Sequence, residues 1–197
     1  MHAKSLLSAE IDLMHKIAVV AGDGIGPEVV REGLKVLKAV SELEGFQYEL
    51  REFPFGSEHY LRTGELLPKS IFDEFTRMDA IYLGAIGDPR VEVGLVERGI
   101  VGAIRWGVLD LYVNLRPIRL YAEHLCPIKG KKPEEIDFIV VRENTEDLYA
   151  GAGGFMHKGT QDEVAVQEML FTRKGVERVV RYAFDLARKR GKGKKVT

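Results

Sequence analysis

Arg105, Arg116 and Arg142 each offer a planar guanidinium, a rigid fork of donors matched to the two oxygens of a carboxylate. Three such groups converging on one point would hold a di- or tricarboxylate. Spacing alone leaves a second reading open, because most Lys and Arg side chains lie solvated on surfaces. Tyr149 follows Arg142 closely and carries a hydroxyl able to donate a proton, although a tyrosine also serves as an amphipathic packing residue. A further feature is Gly22-Asp-Gly-Ile-Gly26, where backbone N–H groups at a helix start can cradle an anion. The dinucleotide fingerprint requires Gly-x-Gly-x-x-Gly, and the spacing here is one residue shorter. A tight turn and a cofactor site both remain open on that motif.

These residues need elements to position them. Lys16 to Ala21 is a short apolar run rich in β-branched residues and predicts a buried strand entering the glycine turn. Pro27 and Glu28 suit a first helical turn, and Val29, Val30, Leu34, Leu37 and Val40 recur at helical spacing before Gly45 stops the helix. Residues 47–53 predict a second strand, 67–75 a short helix and 80–84 a third strand, so strands alternate with helices around a mostly parallel sheet. The pattern then changes. An amphipathic segment from Val93 to Val108 predicts a helix, residues 109–121 a long strand and 136–141 another. Residues 151–159 read as a glycine-rich loop, 163–171 as a strand of an arm, and 176–187 as a helix running into a Lys/Arg-rich tail.

Composition removes several classes. The 197 residues carry 29 Lys+Arg against 30 Asp+Glu and are 45% hydrophobic, as in an ordinary globular protein. Balanced charge argues against nucleic acid as a partner, and the basic tail reads as a solvated helix end. A lone Cys126 forms no internal disulfide and no Cys/His cluster has zinc spacing, which predicts a cytoplasmic protein. No apolar run approaches a membrane span, and residues 1–14 lack the apolar core of a signal peptide.

Four motifs act together: Gly22-Asp-Gly-Ile-Gly-Pro-Glu-Val29, Gly84-Ala-Ile-Gly-Asp-Pro89, Asn114-Leu-Arg-Pro117 and Val141-Arg-Glu-Asn-Thr-Glu-Asp-Leu-Tyr149. In this order they resemble the metal-dependent β-decarboxylating dehydrogenases, from about Lys16 to the end of the chain. The resemblance implies an α/β, isopropylmalate-dehydrogenase-like fold rather than a Rossmann fold, with two α/β domains, each incomplete here. Residues 1–15 are then an N-terminal extension, 16–108 the first part of the cofactor-side domain, and 109–197 the first part of the second domain with a dimer arm. It also implies chemistry: hydride passes from the hydroxyl-bearing carbon to NAD, the β-keto acid loses carbon dioxide, and the enolate is protonated. Arg105, Arg116 and Arg142 match the family's carboxylate-binding positions and Tyr149 its proton donor. Ile25, Gly87 and Glu97 fall where the family meets the nicotinamide half of NAD.

The helix that selects the substrate in this family reads Glu97-Arg-Gly-Ile-Val-Gly-Ala-Ile-Arg105. The serine and asparagine of isocitrate enzymes are absent, and Ile100, Val101 and Ile104 are aliphatic, as a pocket for an isopropyl group requires. This segment is most similar to the 3-isopropylmalate branch, which serves leucine biosynthesis. Residues 145–149 lean toward isocitrate enzymes, and Phe171-Thr-Arg-Lys-Gly175 toward tartrate and D-malate enzymes. The alternatives are one of those activities or a non-catalytic regulatory subunit. Family members are longer, so the resemblance places the catalytic lysine and the ligands of Mg2+ or Mn2+ beyond residue 197. It implies a homodimer acting on a small 2-hydroxy di-acid, with neither membrane nor nucleic acid as partner, and a 197-residue chain inactive and poorly soluble alone.

Overall fold

A computed structural model describes residues 14–191, 193 and 195–197. Most of the expected N-terminal extension, and Lys192 and Lys194 of the basic tail, lie outside them. The chain forms two compact units that divide between Val108 and Leu109.

The first unit is built on a parallel three-stranded sheet of order β2-β1-β3, formed by β1 (His15–Val20), β2 (Tyr48–Glu52) and β3 (Ala80–Leu83). Strand β1 lies in the middle, so its residues Ala18, Val19 and Val20 are buried, as its uninterrupted apolar run demands. Helix α1 (Gly26–Glu44) carries Pro27 in its first turn and is closed by Gly45, whose left-handed φ of 72° lets its N–H reach the Ser41 carbonyl at 2.9 Å. Val30 is buried and Leu34 half-buried, whereas Val29 and Val40 face outward: a helix advances about 100° per residue, so adjacent valines cannot share a face. A side chain at Gly33 would collide with the Tyr82 ring of β3, so this glycine lets α1 lie directly on the sheet. Phe53 packs on Phe75 of α3 (Lys69–Phe75) with ring centroids 5.0 Å apart in an edge-to-face arrangement.

Two elements of this unit differ from expectation. Helix α2 (Ser57–Thr63) is not signalled by local periodicity. The expected amphipathic helix is a wider π-type helix over Glu97–Val108. Val96, Ile100 and Ile104, at four-residue steps, point into the interior and are at most 3% exposed.

The second unit is antiparallel. Strand β4 (Val113–Arg119) pairs with β5 (Asp137–Glu143), placing Asn114 opposite Arg142 and Arg116 opposite Val140. The expected strand over 109–121 is shorter because residues 109–112 turn, Asp110 taking a φ of 43°. Residues 153–156, expected in a glycine-rich loop, form β6 (Gly153–Met156), which pairs with β7 (Val164–Gln167). Gly153 permits that pairing, since a Cβ there would run into the Val166 carbonyl. Helix α4 (Arg173–Arg190) starts at Thr172, whose hydroxyl accepts the Gly175 N–H at 3.0 Å. Arg190 at its far end bonds Asp137 of β5 at 2.5 Å. Among the described residues, Leu120 is the hydrophobic residue this unit buries below a tenth of its surface.

Candidate functional site

In the first unit the glycine turn and the segment after β3 meet backbone to backbone. Side chains at Gly22, Gly26 or Gly84 would each collide with a carbonyl of the opposing segment or of β1's end, so these three positions must be glycine. The Asp23 N–H donates to the Ala85 carbonyl at 2.7 Å and the Gly26 N–H to the Asp23 carbonyl at 2.8 Å. The Asp23 side chain, 8% exposed, accepts three more hydrogen bonds: from the Ser57 N–H (2.7 Å), the Ser57 hydroxyl (2.8 Å) and the Gly87 N–H (3.0 Å). These amides therefore meet an internal carboxylate. The motif clasps two segments together, and Asp23 caps α2 from a remote part of the chain.

Around this clasp lie the three residues matched to the nicotinamide half. Gly87 is bonded to Asp23, and a Cβ there would stand 3.1 Å from Oε1 of Glu97. Ile25, two residues beyond Asp23, begins α1 with its side chain 65% exposed. An exposed aliphatic side chain, a backbone bare of side chain and a carboxylate fit a flat amide-bearing ring. Arg105 belongs to this unit and is half-buried on the π-type helix. Ile100 and Ile104 correct the expectation of an aliphatic substrate pocket: both are used up in the core, leaving Val101 as the partly exposed member of the three. A groove of about 760 Å³ beside α1, lined by Val19, Pro27, Leu34, Tyr48 and Phe53, contains none of the expected site residues.

In the second unit the antiparallel register puts Asn114, Arg116 and Arg142 on one face of the β4–β5 ribbon. Arg116 Nε donates to the Asn114 side chain at 3.2 Å, and Asn114 Nδ2 to buried Asn144 at 3.2 Å. The single turn Leu148–Ala150 brings Tyr149 back over β5, where Arg142 Nη2 donates to its hydroxyl oxygen at 2.5 Å and the guanidinium lies 5.1 Å from the ring centroid. The structure thus brings Arg116, Arg142 and Tyr149 into one cluster.

The loop carrying Tyr149 is clamped at several points that sequence reasoning missed. Glu143 accepts from the Thr145 hydroxyl (2.6 Å) and from the Thr145 and Glu146 amides (2.8 Å each). Partial burial pushes its carboxyl up, but these hydrogen bonds outweigh burial and hold it below the ordinary glutamate value. Glu146 accepts the Thr172 N–H at 2.8 Å and the Thr172 hydroxyl at 2.5 Å, tying the loop to the start of α4. Arg178 of α4 lies 4.5 Å from the Tyr112 ring centroid and donates to Asp110 (2.8 Å) and Thr145 (2.7 Å). Within the clamp, Asp147 takes a φ of 64°, a left-handed value uncommon for a residue other than glycine. The acidic run after Arg142 was the available signal, and only its partners on α4 were out of sight.

Among the described residues no cluster of three or more His, Cys, Asp and Glu side chains is placed to hold a metal ion. No helix among them is long and apolar enough to cross a membrane.

A two-unit α/β chain with a parallel first sheet, a guanidinium-bearing ribbon and a tyrosine on its face defines a known class. Residues 16–197 match the isocitrate/isopropylmalate dehydrogenase family, and the chain belongs to it. The chain is 51% identical over 175 residues to a 3-isopropylmalate dehydrogenase of Thermobifida fusca, covering 89% of this chain and 49% of that protein. It is 44% identical over 183 residues to a D-malate dehydrogenase (decarboxylating) of Escherichia coli, covering 89% and 49%. Among solved structures, an isocitrate dehydrogenase from Methylococcus capsulatus aligns with a TM-score of 0.73 at 32% identity, over 89% of this chain and 48% of that one. The chain spans about half the length of the curated relatives it matches.

Proposed function

We propose that this chain is part of an NAD-dependent enzyme that oxidatively decarboxylates 3-isopropylmalate, a step of leucine biosynthesis. The observation that carries the reading is the Arg116–Arg142–Tyr149 cluster: two guanidinium groups on one ribbon face and a phenol held against one of them. Arg116 and Arg142 present paired donors to the carboxylate oxygens of a small 2-hydroxy di-acid, and Arg105 stands at the family's third carboxylate-binding position. That anchoring orients the hydroxyl-bearing carbon. NAD, when bound, supplies the hydride acceptor, and Ile25, Gly87 and Glu97 hold its nicotinamide half. Once carbon dioxide has left, Tyr149 gives its proton to the enolate carbon. Arg142 has donors enough to hold a carboxylate and still steady the phenol oxygen as the proton departs. The divalent metal implied by the resemblance, Mg2+ or Mn2+, has no ligand set among the described residues, and no step is assigned to it. The β6–β7 hairpin serves as the arm of a homodimer, and the 197-residue chain does not turn over alone.

A second reading, D-malate as substrate, is favoured by the burial of Ile100 and Ile104, which removes most of the aliphatic wall an isopropyl group needs. The ratio of kcat/KM for 3-isopropylmalate and D-malate in the full-length protein separates them. The first reading predicts a preference for 3-isopropylmalate of about tenfold or more, the range a hydrophobic contact of this size gives. Equal values, or a preference for malate, support the second.

A further inference from the structure

We propose that Asp23 is a positioning residue for the nicotinamide-facing surface, acting through the Gly87 amide. The inference rests on the NAD-dependent reading above and deepens it. Four observations carry it. First, the Asp23 carboxylate is more than nine-tenths buried, and its three hydrogen bonds go to groups far apart in sequence: the Ser57 amide and hydroxyl and the Gly87 amide. A buried carboxylate is costly to desolvate unless its oxygens are met, and here they are met by donors rather than by a cation, so the bonds fix direction as well as charge. Second, every residue matched to the nicotinamide half is tied to this node. Ile25 is two residues along the chain, Gly87 is bonded to the carboxylate, and Glu97 stands against Gly87. Third, the glycines leave no slack. Side chains at Gly22, Gly26 and Gly84 would collide with backbone across the clasp, and one at Gly56 would approach Asp23 Oδ1 to 2.6 Å. The two segments are therefore in direct backbone contact and move together. Fourth, Gly87 has a φ of 140°, a conformation open to glycine that needs an external hold to be unique, and the Asp23 bond provides one.

Chemistry also explains the residue type. Oδ1 accepts one amide, while Oδ2 accepts a hydroxyl and a second amide. An asparagine at this position must turn its NH2 toward either the Ser57 or the Gly87 N–H, leaving a donor facing a donor. Serine at position 57 is less demanding, because losing its hydroxyl leaves both amide bonds in place.

The test compares Asp23→Asn and Ser57→Ala with the parent in the full-length protein. Steady-state kinetics are measured with NAD and, at saturating NAD, with the hydroxy acid, and amide hydrogen exchange is followed at Gly87. The expected result for Asp23→Asn is a KM for NAD raised about tenfold, a KM for the hydroxy acid within about twofold of the parent, and exchange at Gly87 accelerated at least tenfold, as the loss of one charge-assisted hydrogen bond predicts. Ser57→Ala keeps the parent KM for NAD. A role in stability alone would lower the melting temperature of Asp23→Asn and leave KM for NAD unchanged, which overturns the proposal. Equal rises in both KM values also overturn it, because they signal general loosening. A parent protein that fails to bind NAD overturns the functional reading and the positioning role together. A parent that binds NAD while Asp23→Asn leaves its KM unchanged overturns the positioning role alone.

Discussion

Replacing Gly175 by alanine tests whether Glu146 clamps the Tyr149 loop to α4. A Cβ at Gly175 would stand under 3.0 Å from Cδ and both oxygens of Glu146, separations real Cβ atoms do not show. The carboxylate is the end of a flexible side chain, so it swings away at little steric cost, and the loss is that of its two bonds to Thr172. Hydrogen bonds to a charged group are worth about 1.5–3 kcal/mol each, although two sharing one residue are not additive. Against this, alanine is better than glycine in a helix by about 0.5–1 kcal/mol. The expected net destabilisation for Gly175→Ala is about 1–2 kcal/mol, and for Glu146→Ala, which has no compensating propensity gain, about 2–3 kcal/mol. The decisive value is the double variant, assayed by urea unfolding of the chain. In the Glu146→Ala background the clash is gone, so Gly175→Ala becomes stabilising by about 0.5–1 kcal/mol. Equal destabilisation by Gly175→Ala in both backgrounds would refute the reasoning.

Glu143 gives a pH prediction. Its folded-state value lies below the ordinary one of 4.5, so the folded protein binds fewer protons there than the unfolded chain. The associated stability is fully present above pH 4.5 and is lost as pH falls through the folded-state value; Glu143→Gln should flatten that part of a melting-temperature profile, and an unchanged slope would count against the role. Tyr149→Phe in the full-length protein should lower kcat by about 10²-fold or more with little change in KM for the hydroxy acid, the usual cost of a lost proton donor. Gly22→Ala sets a side chain against the Ala85 carbonyl at a φ of 75° and should destabilise the chain by about 2–4 kcal/mol, seen as a fall in melting temperature. Arg142→Lys keeps the charge but loses the fork, and should raise KM for the hydroxy acid about tenfold or more.

Local signals carried much of the fold into view. The apolar run of β1, Pro27 and Gly45 at the ends of α1, and the periodicity of α4 all appear in the structure within a few residues. What escaped is nonlocal. Helix α2 starts under the Asp23 carboxylate, which no window around Ser57 contains. The strand β6 hides in a glycine-rich stretch because Gly153 is there for close pairing with β7, a contact visible only in three dimensions. Tyr149 lies close to Arg142 in sequence, but the contact between them comes from the turn at Leu148–Ala150, and the clamps from Thr172 and Arg178 depend on how α4 returns to the loop. Ile100 and Ile104 show the opposite hazard: aliphatic residues on a substrate-selecting helix are equally what a core requires, and burial decides which.

The most direct test of the central claim is to follow NAD reduction and carbon dioxide release by the full-length protein supplied with 3-isopropylmalate and magnesium. The account predicts one carbon dioxide per NADH formed, with the steady-state rates of both lowered in step, in Arg142→Lys through a raised KM for the hydroxy acid and in Tyr149→Phe through a lower kcat. NAD reduction without carbon dioxide, or turnover undiminished in both variants, would contradict it.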